Sequence, residues 1–151
     1  AWREGDAAGR REAFRARVAE GPPPGVLALE GERAVGWAQV APRAETPRFD
    51  AARTAKPMPG TDGTRVWALS CFFVAKSHRG RGLMEALARG ACAHAAERGA
   101  EAVEAAPLEP TRPLMWGEGF VGLRGALERA GFAEVERRTE RRALMRWTPG
   151  G

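Results

Sequence analysis

The sequence contains no tyrosine, only two cysteines and only two lysines, Lys56 and Lys76, among its 24 basic residues. Without tyrosine, no phenol hydroxyl can donate or accept a proton at any site of this chain. Two cysteines, Cys71 and Cys92, cannot form a disulfide framework, and each lies in an apolar pattern that favours a small buried thiol. The chain also lacks a C-x-x-C pair and a helical histidine pair, which argues against a zinc site.

Long apolar runs are lacking as well. None approaches the roughly 20 residues that a membrane helix needs, and the chain does not open on the charged-then-apolar pattern of a secretory leader. Two free thiols fit a reducing compartment. We therefore expect a cytoplasmic protein with no membrane partner and no metal.

Composition and net charge limit the class of protein and the kinds of partner that it can have. With 151 residues, 44% of them hydrophobic and 28% charged, the chain is typical of one globular domain, which we expect to span residues 1–151. A net charge of +5 leaves nucleic acid, an anionic surface and an anionic cofactor as partners. The basic residues at 134–142 are interleaved with acidic ones, which is typical of a solvated face. No nucleic-acid partner is therefore expected.

The hydrophobic pattern predicts helix first and then a hairpin. Asp6 can cap a first helix that Gly21 and the following prolines end. Two strand-like runs at 26–29 and 34–40 flank a short polar turn, which is typical of a hairpin. The connection at 42–64 is long enough to be either a loop over a substrate or a plain surface excursion.

A strand–helix–strand unit is predicted over about 66–106. Val66–Val74 is apolar on both faces, as in a central strand. A helix with a broad apolar stripe follows over 83–98, and a shorter strand over 102–106. Such a crossover makes adjacent parallel strands. The remaining predicted elements are a short helix at 123–130 and two antiparallel strands at 132–138 and 143–147. The pattern predicts a mixed α+β domain.

The segment Arg-Gly-Arg-Gly-Leu at 79–83 lies where the central strand gives way to the long helix. Its glycines let the backbone turn tightly and approach a ligand. The free N–H groups and the positive dipole end of the helix then form an anion site, for which phosphate or pyrophosphate is the natural occupant. A dinucleotide fingerprint would need a third glycine where Glu85 stands, and a P-loop would need G-K-[ST].

Arg79 and Gly82 instead fit the pattern R/Q-x-x-G-x-G/A, with Met84 where a small residue is usual. With the strand before, the helix after and the Glu-Arg-Ala-Gly-Phe ending at 128–132, the chain resembles the GNAT N-acetyltransferase superfamily over about residues 10–147. The resemblance implies a three-layer α+β fold with a mixed central sheet and acetyl-CoA as cosubstrate. The usual first strand of that fold has no counterpart in the sequence. Either residues that precede Ala1 supply it, or the sheet edge is completed differently, for example by a partner subunit in a homodimer.

The resemblance also implies which residues hold the coenzyme. The backbone amides of the turn would bind its pyrophosphate, and the main chains of two residues on the central strand would bind the acetyl oxygen and the pantetheine arm. The implied cofactor-binding residues are Phe72, Val74, Arg79, Gly80, Arg81, Gly82, Leu83 and Met84.

Acetyl transfer to an amine needs a proton acceptor for the amine, a donor to the carbonyl oxygen and a proton for the departing thiolate. Many relatives place a tyrosine on the late helix, where this chain has Leu127 with Ala126 beside it, and some place a glutamate on the central strand, where this chain has Ala68. Replacement candidates carry carboxylates or a hydroxyl. The predicted catalytic residues are Glu104, Glu118 and Ser70, with Glu109 as a further loop carboxylate.

Each candidate has a plainer structural interpretation. Glu104 could be a solvent-facing strand carboxylate, and the loop glutamates could simply be solvated. Cys71 could carry an acyl group, but a core thiol is favoured, and His78 is expected to be exposed rather than catalytic. Trp37, Trp67 and Trp116 could form a wall of the acceptor site. For Trp37 and Trp67, packing in the core is expected instead.

The sequence therefore predicts an N-acetyltransferase that moves the acetyl group to a primary amine of a small molecule or peptide in a ternary complex. The alternative is a GNAT-like module that binds coenzyme A without turnover, because the tyrosine and the strand glutamate are missing. A basic nucleic-acid binder is the third possibility.

Overall fold

The computed structural model describes residues 7–115 and 117–151. The predicted cap Asp6 and the predicted wall residue Trp116 lie outside the described residues. The helices and strands in chain order are α1 (Ala7–Glu20), β1 (Gly25–Glu30), β2 (Arg33–Pro42), α2 (Pro47–Ala51), β3 (Val66–Val74), α3 (Leu83–Glu97), β4 (Ala102–Ala105), α4 (Arg124–Arg129), β5 (Ala133–Thr139) and β6 (Arg142–Trp147).

The six strands form one mixed sheet in the order β1-β2-β3-β4-β6-β5. The pair β3–β4 is parallel and joined through α3, whereas the other neighbouring pairs are antiparallel. Among the described residues no strand precedes α1, so β1 of the predicted hairpin forms one edge of the sheet. The predicted mixed α+β class and the strand–helix–strand unit are confirmed.

The core lies between the sheet and α3. One side of this helix consists largely of small residues, which lets its backbone come close to β2 and β3. The edge of the His94 ring meets the Trp67 ring at a centroid distance of 6.1 Å, and Trp67 is buried, so its predicted core role is confirmed. The buried residues of the helix are Leu87, Ala88, Ala91, Cys92 and Ala95.

The opposite face of the sheet is covered by α1 and by the connection that the sequence left open. Phe14 of α1 packs edge-on against Trp37 of β2, with ring centroids 5.6 Å apart. The connection contains a 3₁₀ turn at Arg43–Glu45 and then α2, so it has local structure of its own. Because it lies over the sheet, the connection belongs with α1 to the layer that covers the face opposite α3, and it is not a plain surface excursion.

A buried ion-pair cluster fastens this connection to the middle of the sheet. Arg43 is 1% exposed and Glu104 is 0% exposed. Nη1 of Arg43 lies 3.0 Å from Oε2 of Glu104, and Nε lies 3.0 Å from Oδ1 of Asp50. Arg146 donates to the other oxygen of Glu104 from Nε, at 2.9 Å. Glu104 is thus a fully paired interior carboxylate, and its solvent-facing interpretation is wrong.

Replacing Glu104 with glutamine should lower the free energy of unfolding by about 3–5 kcal/mol, because it leaves buried guanidinium charge without its main counter-ion. Urea denaturation at neutral pH measures the change. The matched control is Glu101→Gln, whose exposed pair with Arg65 should contribute less than about 1 kcal/mol. Equal losses in the two variants would contradict this account.

Candidate active site

The site begins where β3 and β4 separate. The two parallel strands are in register at three positions, from Val66 with Ala102 to Ala68 with Glu104. β4 then ends at Ala105, while β3 continues to Val74. Beyond Ala68, β3 is therefore paired with β2 on one side, and no described strand lies on the other. The separation leaves a gap in the middle of the sheet.

Main-chain groups of β3 face this gap. The N–H of Ala75 donates to the carbonyl of Val35 at 2.8 Å, so the main-chain N–H of residue 75 points toward β2. Because polar groups alternate sides along a strand, those of Phe72 and Val74 point away from β2. The carbonyl of Val74 accepts a hydrogen bond from Nε of Arg79 at 3.1 Å. The main-chain groups that the resemblance implied for coenzyme binding are thus directed into the gap.

A first cavity of about 480 Å³ lies on the α3 side of the gap. Its opposite wall comes from the segment that leads into α4, with Phe120 and Leu123, and from α4 itself, with Ala126. Arg81 is not among its lining residues. The other implied cofactor residues all line it: Phe72, Val74, Arg79, Gly80, Gly82, Leu83 and Met84.

The turn before α3 has the geometry of an anion site. Gly80 and Gly82 have φ angles of 75° and 77°, in the left-handed region that favours glycine. A Cβ at either position would meet nothing within 4 Å, so the space beside the turn is open. The first intrahelical bond runs from Ala86 N–H to the carbonyl of Gly82. The three preceding N–H groups therefore have no intrahelical acceptor and suit phosphate oxygens.

Met84 departs from the expected small residue without closing the turn. Its sulfur accepts a hydrogen bond from the N–H of Leu123 at 3.2 Å, and its side chain packs against the core. The side chain thus connects α3 to the opposite wall of the first cavity. Its own backbone N–H lies in the first turn of α3 and stays available to a ligand.

A second cavity of about 1190 Å³ lies on the other face of the sheet, beneath α1 and α2. Cys71 and Phe73 line it, whereas Phe72 and Val74 line the first cavity. The two cavities therefore adjoin the same stretch of β3 from opposite faces. Aromatic side chains supply much of the wall: Phe14, Trp37, Phe49 and Phe73.

The predicted catalytic residues are not brought together. Ser70 lines the second cavity, at a bulge, since Leu69 pairs with Val40 and Cys71 pairs with Gln39. Glu104 lines neither cavity. The one carboxylate among the described residues that line the second cavity is Glu45, which sequence reasoning missed because it lies in an irregular connection with no motif.

Glu118 is an ion-pair anchor outside both cavities. The Met115 N–H donates to it at 2.6 Å, and Arg112 and Arg141 donate to its oxygens at 3.0 and 3.2 Å. These donors lower the pKa of Glu118 to about 2, which makes it a poor general base near neutral pH. Glu109 is likewise paired, with Arg137 at 2.7 Å.

Other predicted groups divide between cavity and core. Leu127 is fully buried, and the residues of α4 that line the first cavity are Gly125, Ala126 and Arg129. A guanidinium keeps its proton near neutral pH, so α4 presents no general acid there. Cys71 is partly exposed on the second cavity, and the prediction of a core thiol is wrong for it, although burial still raises its pKa. Cys92 is a core thiol, and burial raises its pKa to about 12.

His78 is mostly covered rather than exposed, which corrects the expectation. Its side chain is 12% exposed, and Nε2 lies 2.6 Å from a carboxylate oxygen of Glu30. Nδ1 is 2.7 Å from the hydroxyl of Ser77. The ring therefore ties the turn to the end of β1, and it lines the first cavity.

The sequence model of the acetyltransferase (GNAT) family matches residues 1–115. The chain belongs to the GNAT family. No curated protein sequence matches it significantly.

Solved structures show the same fold. A ribosomal-protein-alanine N-acetyltransferase from Brucella melitensis aligns with a TM-score of 0.56 and 19% identity, over 95% of this chain and 79% of that one. The yncA protein from Salmonella typhimurium, solved with acetyl-CoA, aligns with a TM-score of 0.57 and 15% identity, over 95% and 74%. An aminoglycoside acetyltransferase solved with coenzyme A and kanamycin aligns with a TM-score of 0.54 and 19% identity, over 81% and 64%.

Within residues 7–115 and 117–151, no group of three or more metal-binding side chains is clustered. No helix among the described residues has the length and apolar character of a membrane span.

Replacing Gly122 with alanine should destabilise the wall of the first cavity. Gly122 has φ +88°, and an added Cβ would lie 2.8 Å from Cε2 of Phe72. We expect a loss of about 1–3 kcal/mol in the free energy of unfolding, the usual cost of such backbone strain. Gly119→Ala is the control, because a Cβ there meets nothing within 4 Å. Urea denaturation should separate the two variants, and similar midpoints would count against the clash.

The low pKa of Glu118 predicts a pH-dependent contribution to stability. Since this pKa is about 2 in the folded chain and about 4.3 in an unfolded one, the contribution is full above pH of about 4.3 and declines as the pH falls toward 2. The difference in Tm between the wild type and Glu118→Gln should therefore be larger at neutral pH than at about pH 3. Glu97→Gln, at the exposed end of α3, should show a small difference at both. A Glu118→Gln difference that does not change with pH would refute the pairing.

Proposed function

We propose that this chain transfers the acetyl group of acetyl-CoA to a primary amine of a small molecule or peptide, directly and in a ternary complex. The observation that carries the proposal is the pair of cavities on opposite faces of one segment of β3, which is paired with β2 on one edge and with no described strand on the other. Phe72 and Val74 adjoin one cavity, and Cys71 and Phe73 adjoin the other. Two substrates bound in these cavities would meet at the gap between β3 and β4.

The first cavity suits coenzyme A. The N–H groups at the start of α3 and the guanidinium of Arg79 offer donors to a pyrophosphate, and the Phe72 and Val74 main chains offer an extended edge to a pantetheine arm. Arg81, which belongs to the turn but is not a lining residue of the cavity, would add positive charge nearby. Coenzyme A or acetyl-CoA in the solved relatives of the same fold supports this assignment.

In the proposed reaction, the neutral amine nitrogen attacks the thioester carbonyl, a C–N bond forms and the C–S bond breaks. A main-chain N–H of β3 in the gap would stabilise the charge that develops on the carbonyl oxygen. Ser70 and Glu45, which line the second cavity, are the described polar side chains that we assign to contact the amine and to pass its proton to water. The departing thiolate takes its proton from solvent, because α4 presents no general acid.

A second candidate function is a coenzyme A-binding module without turnover. The observation that favours it is the pairing of the predicted bases, since Glu104 is buried between arginines and Glu118 has a pKa of about 2. The two functions differ in one measurable respect. Turnover releases coenzyme A thiol in proportion to the amine, and a binding module does not.

The test is thiol release from acetyl-CoA across a panel of amino acids, peptides, polyamines and aminoglycosides. We expect at least one amine to accelerate release in a saturable way, with an N-acetyl product found by mass spectrometry. Arg79→Gln should raise the KM for acetyl-CoA roughly threefold to tenfold, by loss of one charge-assisted donor. Arg98→Gln, at the exposed opposite end of α3, should leave it unchanged. Acetyl-CoA binding with no amine-dependent release would favour the module without turnover.

A further inference from the structure

The second cavity carries an excess of positive charge among apolar walls. Its charged lining residues are Arg17, Arg48, Arg142 and Glu45. Glu45 is already neutralised by Arg17, whose Nη2 lies 2.9 Å from its Oε2. The guanidinium groups of Arg48 and Arg142 therefore have no carboxylate partner among the lining residues of the cavity.

Arg142 is the more informative of the two. It is half-buried, and its Nε donates to the carbonyl of Ala106 at 2.8 Å, as does its Nη2. No carboxylate of the described residues forms an ion pair with it. Burial lowers its pKa, yet a guanidinium keeps its proton near neutral pH. A partly desolvated cation held by one carbonyl has unused donors and an unbalanced charge.

Arg48 adds a second positive group from a different element. It lies on α2, is exposed and forms no ion pair with any described carboxylate. The positive charge around the cavity therefore comes from two elements. Arg48 lies on α2, which covers the cavity, and Arg142 is the first residue of β6 in the sheet. Such an arrangement repels polycations and favours an anionic group within the cavity.

The apolar part of the wall limits the rest of the ligand. Trp37 and Phe73 lie on adjacent strands and are register partners, and Phe49 faces the same cavity from α2. These rings offer an apolar body large contact area. We infer that the second cavity takes an amine acceptor with a carboxylate, bound by Arg142 and Arg48, and an apolar or aromatic body against Trp37, Phe49 and Phe73. That the ligand carries an acceptor amine rests on the proposed function. That it carries a carboxylate and an apolar body rests on the residues of the cavity alone.

A binding experiment that needs no turnover tests the anion site first. The probes are N-acetyl-L-phenylalanine and N-(2-phenylethyl)acetamide, which share the ring and the amide and differ in the carboxylate. Calorimetry on the wild-type chain should show the acid bound at least about tenfold more tightly, as expected for a charge-assisted hydrogen bond of about 1.5 kcal/mol or more. Equal affinities, a tighter amide, or no binding of the acid at millimolar concentration would overturn the inference.

Variants assign the effect to the named residues. Arg142→Gln should abolish the preference for the acid, whereas Arg142→Lys should keep part of it. Arg48→Gln should weaken the acid a fewfold and leave the neutral amide unchanged, and it tests the site without disturbing a buried contact. Arg53→Gln is the control, since Arg53 is exposed near α2 and does not line the cavity. Equal loss of acid and amide binding in Arg142→Gln would show a structural role and overturn the inference.

Acceptor kinetics then separate this inference from the proposed function. L-phenylalanine should be acetylated with a higher kcat/KM than 2-phenylethylamine, and kanamycin, a polycation, should be a poor acceptor. Equal rates for the first two would overturn the inference and leave the acetyltransferase intact. Selective binding of the acid with no turnover of any amine would have the opposite meaning: the anion site would stand, and the proposed function would fail.

Discussion

The short pairing of β3 with β4 determines the rest of the structure. β4 ends at Ala105, and two residues later Pro107 has no N–H with which to continue a ladder. The chain then leaves β3, and Leu108 pairs instead with the segment around Leu123 and with Arg142. The half of β3 that β4 leaves without a partner on this edge can then lie between two cavities. A longer β4 would fill the gap with hydrogen bonds and occupy the main-chain groups of Phe72 and Val74.

The same end of β4 also holds the roof of the second cavity. Glu104, the last residue of β4 in register with β3, binds Arg43, and Arg43 begins the connection that contains α2. Asp50 of α2 binds the same guanidinium, which also donates to the carbonyl of Ala55. One buried carboxylate therefore fixes both the sheet and the covering segment. This explains why a glutamate lies in the interior although neither cavity includes it.

Local patterns in the sequence predicted the parts of this architecture that depend on local physics. The apolar run of β3, the broad apolar stripe of α3 and the glycine-rich turn each follow from periodicity or from backbone conformation, and the structure has them at nearly the predicted bounds. Glu104 could not be interpreted in that way, because its partner Arg43 is far away in the sequence. A lone charged residue in a strand looks the same whether it faces water, a ligand or a buried arginine. Glu45 was missed for a related reason, since only the folded connection brings it to a cavity.

The two buried or half-buried arginines of the central region show how an excess of basic residues can be used. Arg43 and Arg142 both lose hydration, and burial lowers the pKa of each. Arg43 regains part of that free energy from two carboxylates, whereas Arg142 has a backbone carbonyl alone. An apolar residue at the start of β6 would remove the desolvation cost of Arg142, because replacing buried charge by apolar groups is often neutral or stabilising. Retaining an uncompensated guanidinium at a cavity wall is consistent with a ligand that supplies the missing negative charge.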